Sequence, residues 1–335
     1  MIYDCFPFFN EVDILNLRLH VLDPYVDRFV IEESTRTFSG EPKELVFEKH
    51  RDLFTPFLPK IRYVVVDDDV VLEDGVTPSP SAACYVTDIP GQPLPHRRDY
   101  FQKNHLMDAL RDVTKEDVIL FGDLDEIPNP DALQGILADF DPTKVYHLAQ
   151  RNFYVYLNME ESPVKLRSIT GEFPGVAQAD RRWLGTKVCS IRNIPEEGIV
   201  RLRDLVPVTD PRSVRVPDGG WHFGYMGGYH TSNVLDRIGT KIRAAAHQEY
   251  NDAEIIAETM DQLILGKDIF GRDTHFERVD IDDTWPRYLV THPEEYGHLI
   301  LPEISSLTRL KCRLDLTAGR FVRKAVRKGR RILRR

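Results

Sequence analysis

The feature that most limits how this chain can fold is a series of four apolar runs separated by helical patterns. The runs are IYDCFPF, DRFVIEES, KIRYVVVDDD and VILFGDLDEIP, and the last three finish in carboxylates. After the first run, Asn10 is expected to cap an amphipathic helix whose Val12, Leu15, Leu19 and Leu22 share a face. The stretch RRDYFQKNHLMDALRDV leads as a second helix into the fourth run, and Asn129 and Pro130 follow as N-cap and first helical residue of another. Strands alternating with helices predict an α/β fold, a mostly parallel central sheet with helices on both faces. Ligands of such sheets bind beyond the carboxyl ends of the strands. Glu32, Glu33, Asp67 to Asp69, Asp123 and Asp125 all fall there.

The chain of 335 residues, 42% apolar, is long enough to bury a large core. Residues from Leu72 to Pro95 are rich in Pro, Ser and Gly and read as a mobile loop, because the sheet pattern resumes afterwards. Beyond Lys144 the pattern is mixed: aromatic strands (VYHLAQRNFYVYLN, WLGTKVCSI), then GGWHFGYMGG, then two helices. No internal repeat is present. Cys5, Cys84, Cys189 and Cys312 form no CxxC pair, which argues against a zinc module or disulfide framework and fits a reducing, cytoplasmic setting. The N-terminal MIYDCFPFF lacks a basic leader region, so no signal peptide is expected, and no uncharged apolar run approaches the ~20 residues of a membrane helix.

The net charge of −9 conceals two opposed parts. Residues Ser305 to Arg335 hold twelve Lys/Arg and one acid, and the remainder holds 32 basic against 52 acidic residues. An acidic body of this kind is not expected to bind nucleic acid. In the tail, Leu307, Leu310, Leu314, Phe321, Val322, Ala325, Ile332 and Leu333 lie near one helical face with a basic face opposite. That arrangement suits an anionic membrane surface, against the alternative of a disordered, solubilising end. The expected organisation is one domain over residues 1–302 and a basic amphipathic tail over 303–335, peripheral on the membrane.

Asp123 and Asp125, two residues apart after a buried strand, place two carboxylates on the same side of an extended turn. Such oxygen ligands suit Mg²⁺ or Mn²⁺ bridging to nucleotide phosphates, whereas an isolated Asp-x-Asp is more often a helix-capping turn. The hydrophobic run before it and the further acids at neighbouring strand ends favour the metal. Arg97, Arg98 and Asn104 sit on the preceding helix, where a guanidinium fork can clamp a diphosphate; ordinary surface charge is the competing reading. His222, within GGWHFGYMGG, is a candidate third metal ligand or else a hydrogen-bonded structural histidine. Glu249 in AAHQEYN is a candidate general base by elimination, with Asp218 as second choice.

Several stretches, in this order, resemble one family: IYDCFPFFNEVDILNLRLHVL, VDRFVIEESTRTFSGEPKE, RRDYFQKNHL, VILFGDLDEIPNP, FYVYLN, GGWHFGY, AAHQEYN and GKDIFGR. They are similar to the family-17 glycosyltransferases, whose known member is a β-1,4-mannosyl-glycoprotein N-acetylglucosaminyltransferase. The resemblance spans about Ile2 to Pro302. It implies a GT-A fold, a UDP-sugar donor (UDP-GlcNAc in the known member), a divalent metal and inversion at the anomeric carbon. By position, Asp123 and Asp125 take the Asp-x-Asp role, and Glu32, Glu33 and the Thr35–Gly40 turn, with Thr37, lie beside the nucleotide. Against the animal enzyme, the chain is expected to differ in having no membrane anchor or stem, in extra sequence around EESPVKLRSITGEFPGVAQADRR, and in its basic tail. A surface polysaccharide, lipid-linked glycan or glycoprotein is therefore the expected acceptor. A metal-dependent phosphohydrolase with Asp123 as nucleophile is the rival enzyme, and a membrane-attached glycan-binding protein the non-catalytic alternative.

Overall fold

The computed structural model describes residues 1–67, 93–162, 182–203, 209–231, 233–251, 253–270, 272 and 274–332, the side chains of 254, 255 and 320–332 excepted. Residues 72–92 of the expected loop and most of the extra segment after Glu160 lie outside the described residues, while Leu94 and Pro95, expected in that loop, already belong to a helix that begins at Leu94.

The sequence pattern appears as strands β1 (Ile2–Pro7), β2 (Arg28–Ser34), β3 (Ile61–Val66) and β4 (Val118–Phe121), with helices α1 (Val12–Leu22), α2 (Val46–Lys49) and α3 (Leu94–Asn104) between them. The four strands pair in parallel in the order β3-β2-β1-β4. Next come β5 (Glu126–Pro128), α4 (Pro130–Ala138), β6 (Val145–Tyr154), β7 (Met159–Glu161), β8 (Trp183–Ser190) and β9 (Ser213–Gly224). The sheet continues from β4 through antiparallel β8 to β6, and β6 also pairs in parallel with β9 over its length. Helices α5 (Val234–Ala244) and α6 (Ala253–Ile264), strand β10 (Phe276–Arg278) and helices α7 (Arg287–Thr291) and α8 (Ser306–Ile332) complete the described chain. This is an α/β fold with one mixed sheet in which the longest ladder, β6 with β9, is parallel.

Burial explains the strand order. Phe29 to Ile31 of β2, Cys5 and Phe6 of β1 and Ile119 to Phe121 of β4 are fully buried, as expected of strands covered on both faces. Helix α1 is apolar nearly all round, with Ile14, Leu15, Leu17, Leu19 and Leu22 inaccessible to solvent. Its N-cap is Glu11, not the expected Asn10, and no side chain caps it. The Asn10 backbone instead pairs with Gly228. At α4 the expectation holds: the Asn129 side chain accepts from the Asp131 amide, with Pro130 in the first turn.

The tail is helical and docks on the body. Cys312 and Leu316 of α8 are buried, the Asp261 side chain of α6 bonds Cys312, and Arg309 donates to the Ile264 carbonyl. Leu307, Leu310 and Leu314, three members of the expected apolar stripe, face away from this contact and are 75%, 51% and 61% exposed. The docking face is therefore the opposite one.

Candidate active site

The site is built around the turn between β4 and β5. Gly122 begins it because a Cβ there would lie 2.6 Å from Thr186 Oγ1 and 2.7 Å from Glu126 Oε2. The turn backbone is held from beneath by Arg18, a fully buried arginine in the middle of α1. Its Nε and NH2 bind the Asp4 carboxylate at 2.8 and 2.6 Å, and its NH1 donates to the carbonyl oxygens of Asp123, Leu124 and Glu126 at 3.0, 3.0 and 2.9 Å. A charge that fits no amphipathic pattern is thus the anchor of the Asp-x-Asp turn.

The three acids of the turn have different surroundings. Glu126 is fully buried and accepts from the Asp123 amide, from Trp183 Nε1 at 2.7 Å and from Arg203 NH2 at 2.8 Å. Asp123 binds two cations, Lys103 Nζ at 2.8 Å on one oxygen and Arg203 NH1 at 2.9 Å on the other. Burial alone would raise its pKa, but Lys103 and Arg203 outweigh that and hold it well below the usual carboxylate range. Asp125 is pushed the other way, upward, chiefly by burial. The nearest nitrogens are more distant, the His222 imidazole Nε2 at 3.6 Å and the Lys241 ammonium at 4.0 Å. Lys241 instead binds Glu11, whose pKa falls because that lysine outweighs the cost of its burial.

His222 reaches Asp125 through the sheet. Strands β5 and β9 pair antiparallel with His222 opposite Glu126, and the Phe223 amide donates to the Asp125 carbonyl at 2.7 Å. The imidazole stacks on Trp183 with ring centroids 4.8 Å apart, and its Nδ1 has no partner among the described residues. A buried carboxylate short of counter-charge, facing an imidazole nitrogen, is a donor pair suited to a divalent ion. Asp123, with both oxygens engaged by cations, is less available as a direct ligand.

The other expected residues are spread around this centre. Glu32 is buried with Oε1 unpartnered among the described residues, and burial raises its pKa to about 8. Glu33 is committed to structure: its oxygens accept from Lys43, the amides of Val46 and Phe47, and the Tyr63 hydroxyl. Thr37 closes the turn to Glu41, and Ser39 in that turn bonds the Ala244 carbonyl at the end of α5. Arg98 is buried beneath that turn, where Gly40 has φ +98° and a Cβ would fall 2.5 Å from its NH1; Arg97 lies on the same helix. Asn104 bonds the Glu197 carbonyl and the Val200 amide, fixing the segment that brings in Arg203. Glu249 is exposed and paired with His247 at 2.8 Å. Asp218 is exposed at the β9 irregularity with φ +48°, its carbonyl bonded by Asn129.

Sequence reading missed Arg18, Lys103, Trp183, Arg203 and Lys241. Lys103 alone carried a local signal, one position before Asn104 on the helix feeding β4. The other four come from distant segments: Trp183 arrives on β8, whereas Arg18 on α1, Arg203 after a 3₁₀ turn and Lys241 on α5 are brought in by helix and loop packing.

The glycosyltransferase family 17 model matches residues 1–172, just over half the chain and all of the β4–β5 turn. The chain belongs to glycosyltransferase family 17. The GGWHFGY and AAHQEYN stretches lie beyond the matched residues. No curated protein matches significantly. Among solved structures, Staphylococcus aureus TarS residues 1–349 is 14% identical, with 79% of this chain and 70% of that chain covered at a TM-score of 0.35. Glucosyl-3-phosphoglycerate synthase from Mycobacterium tuberculosis, solved with Mn²⁺, UDP and phosphoglyceric acid, is also 14% identical. It is covered over 87% of this chain and 91% of that chain at a TM-score of 0.32.

Proposed function

We propose that this family-17 glycosyltransferase transfers a sugar, GlcNAc from UDP-GlcNAc, to a hydroxyl of a glycan or glycoconjugate, with a divalent metal and with inversion. The observation that carries this reading is the charge pattern at the β4–β5 turn. Asp125, raised by burial, faces His222, while Lys103, Arg203 and Lys241 flank the two carboxylates. Asp125 and His222 would hold Mn²⁺ or Mg²⁺, which when bound supplies Lewis-acid neutralisation of the diphosphate. Asp123 keeps Lys103 and Arg203 pointed at the same place, so that charge developing on the leaving diphosphate meets pre-positioned cations. Buried Glu32, neutral over part of the physiological range, offers a hydrogen bond beside the Thr35–Gly40 turn, where the nucleotide is proposed to sit with Thr37, Arg97, Arg98 and Asn104 around it.

Glu249 is the proposed base, with Asp218 second. Glu249 is exposed, ionised at neutral pH and follows by five residues Ala244, whose carbonyl Ser39 bonds. It would take the acceptor hydroxyl proton as that oxygen attacks the anomeric carbon.

Incubation with UDP-GlcNAc, Mn²⁺ and candidate acceptors, read as UDP release, tests the donor against other nucleotide sugars. Free phosphate with no sugar transfer would favour a phosphohydrolase. Asp125→Asn should fold normally yet release no UDP, and Glu249→Gln should slow transfer by about 10²-fold with donor binding intact. Unchanged transfer in either variant removes that residue from its role.

We further propose that residues 303–335 form a separable attachment element lying on an anionic membrane. The exposed Leu307–Leu310–Leu314 stripe and the twelve basic residues of the tail support this. Among the described residues no helix is long and apolar enough to cross a membrane.

A further inference from the structure

Away from the Asp-x-Asp turn, three residues far apart in sequence place metal-ligating atoms together. Asp13 lies in the first turn of α1, His230 follows β9, and His298 lies in the 3₁₀ turn before α8; their donor atoms all fall within 4.8 Å of one another. His298 Nε2 is 2.8 Å from Asp13 Oδ2, and His230 Nδ1 is 3.8 Å from Asp13 Oδ1. The imidazoles meet edge to face with centroids 5.1 Å apart.

A hydrogen-bonded Asp13–His298 pair is an ordinary structural motif, but it leaves His230 unexplained. That residue has φ +47°, a left-handed conformation uncommon outside glycine, and its own amide donates to Asp13 Oδ2 at 2.9 Å. The backbone is thereby turned to hold an imidazole beside the pair, yet among the described residues that ring makes no hydrogen bond. The side chain is 55% exposed, and its ring contacts are with Tyr229 and His298.

We propose that Asp13, His230 and His298 form a second metal site, separate from the one at Asp125, that takes a zinc-class divalent ion. Two imidazoles and one carboxylate are the nitrogen-rich set that Zn²⁺ prefers over Mg²⁺ or Ca²⁺. With Zn–ligand distances of about 2.0–2.1 Å, tetrahedral ligands lie about 3.3 Å apart. The widest separation, up to 4.8 Å, must therefore close by up to about 1.5 Å, while the 2.8 Å His298–Asp13 pair opens slightly. Asp13 and His230 also line a cavity of about 240 Å³ with Asn16, Glu295 and Tyr296, which has room for a water as fourth ligand. The ion would tie α1, the segment entering α5 and the C-terminal region together, and α5 carries Lys241 into the active site.

The test uses the full chain carrying Asp125→Asn, so that the metal of the proposed active site contributes nothing. Titration with Co²⁺ should give the visible absorption of a low-coordinate nitrogen-ligated ion at one equivalent, and excess Zn²⁺ should displace it. Zn²⁺ at about a hundred times its Kd should raise Tm by about 4 °C. His230→Asn keeps a residue tolerant of the left-handed conformation and removes no hydrogen bond. Its Tm without zinc should match the parent, while zinc affinity falls by at least about 100-fold, beyond the loss of a supporting partner. His298→Gln should lose the cobalt absorption as well, and replaces His230→Asn if that variant fails to fold. Absence of cobalt and zinc binding in the Asp125→Asn chain, or binding undiminished in the histidine variants, overturns the proposal.

Discussion

Arg18 and Glu32 show how differently two buried charges can behave. Arg18 is satisfied on every side, by Asp4 and by three carbonyls of the Asp-x-Asp turn. Arg18→Met would strand the buried Asp4 carboxylate and release the turn, so a loss of about 3–5 kcal/mol is expected in urea unfolding, together with loss of activity. A loss below about 1 kcal/mol would show that the turn holds itself. Glu32 has no partner for Oε1 among the described residues, and burial raises its pKa to about 8. A raised folded pKa means that the folded state keeps the proton longer than the unfolded one. The resulting stability is present in full below pH ~4.5 and is lost as pH rises to about 8. Glu32→Gln should flatten this decline and leave the variant more stable at pH 8 by on the order of a few kcal/mol. Denaturant titrations at pH 5 and pH 8 measure it; identical pH slopes in both proteins would place the Glu32 pKa near its ordinary value.

At the scale of elements, α8 carries two opposite faces. Cys312 and Leu316 bind it to α6, leaving Leu307, Leu310 and Leu314 outward next to a strongly basic sequence. Removing residues 305–335 should abolish co-sedimentation with phosphatidylglycerol vesicles at low salt while leaving transfer to a soluble acceptor nearly unchanged. Each cation near the surface contributes about 1 kcal/mol at most, and added salt should weaken binding of the full chain. Equal sedimentation of the truncated chain, or none by the full chain, would exclude the membrane. The truncation should also lower Tm modestly, because the α6 face beneath Cys312 and Leu316 becomes exposed.

For the molecule as a whole, the family-matched residues 1–172 are not a folding unit. Strand β4 pairs with β8, and β6 lies between β8 and β9, both of which follow residue 172. A fragment of residues 1–172 would leave β4 without β8, β5 without β9 and β6 without both, and would lose Trp183, Arg203 and His222 from the site. It should show no cooperative thermal transition by circular dichroism, and a sharp melt would refute this. The reason is topological: the middle of the sheet is completed by strands that arrive late in the chain.

That division also separates what could be read from the sequence from what could not. The four parallel strands, their covering helices, the Asn129–Pro130 helix start and the acids at the strand ends follow from local periodicity, since burial on two faces demands continuous apolar runs; the order β3-β2-β1-β4 does not. Asp123 and Asp125 were legible because they end such a run. Their different states were not, because a pKa depends on the charges the fold brings alongside. Asp123 is lowered by Lys103 and Arg203, and Asp125 is raised by burial beyond close reach of Lys241. The pairing of Glu126 with His222, the Arg18 anchor and the Asp13–His230–His298 cluster likewise join residues about 100 to 285 positions apart. Hydrophobic periodicity acts over a few residues and dictates the elements. Which side chains meet across those distances is decided only by strand register and packing.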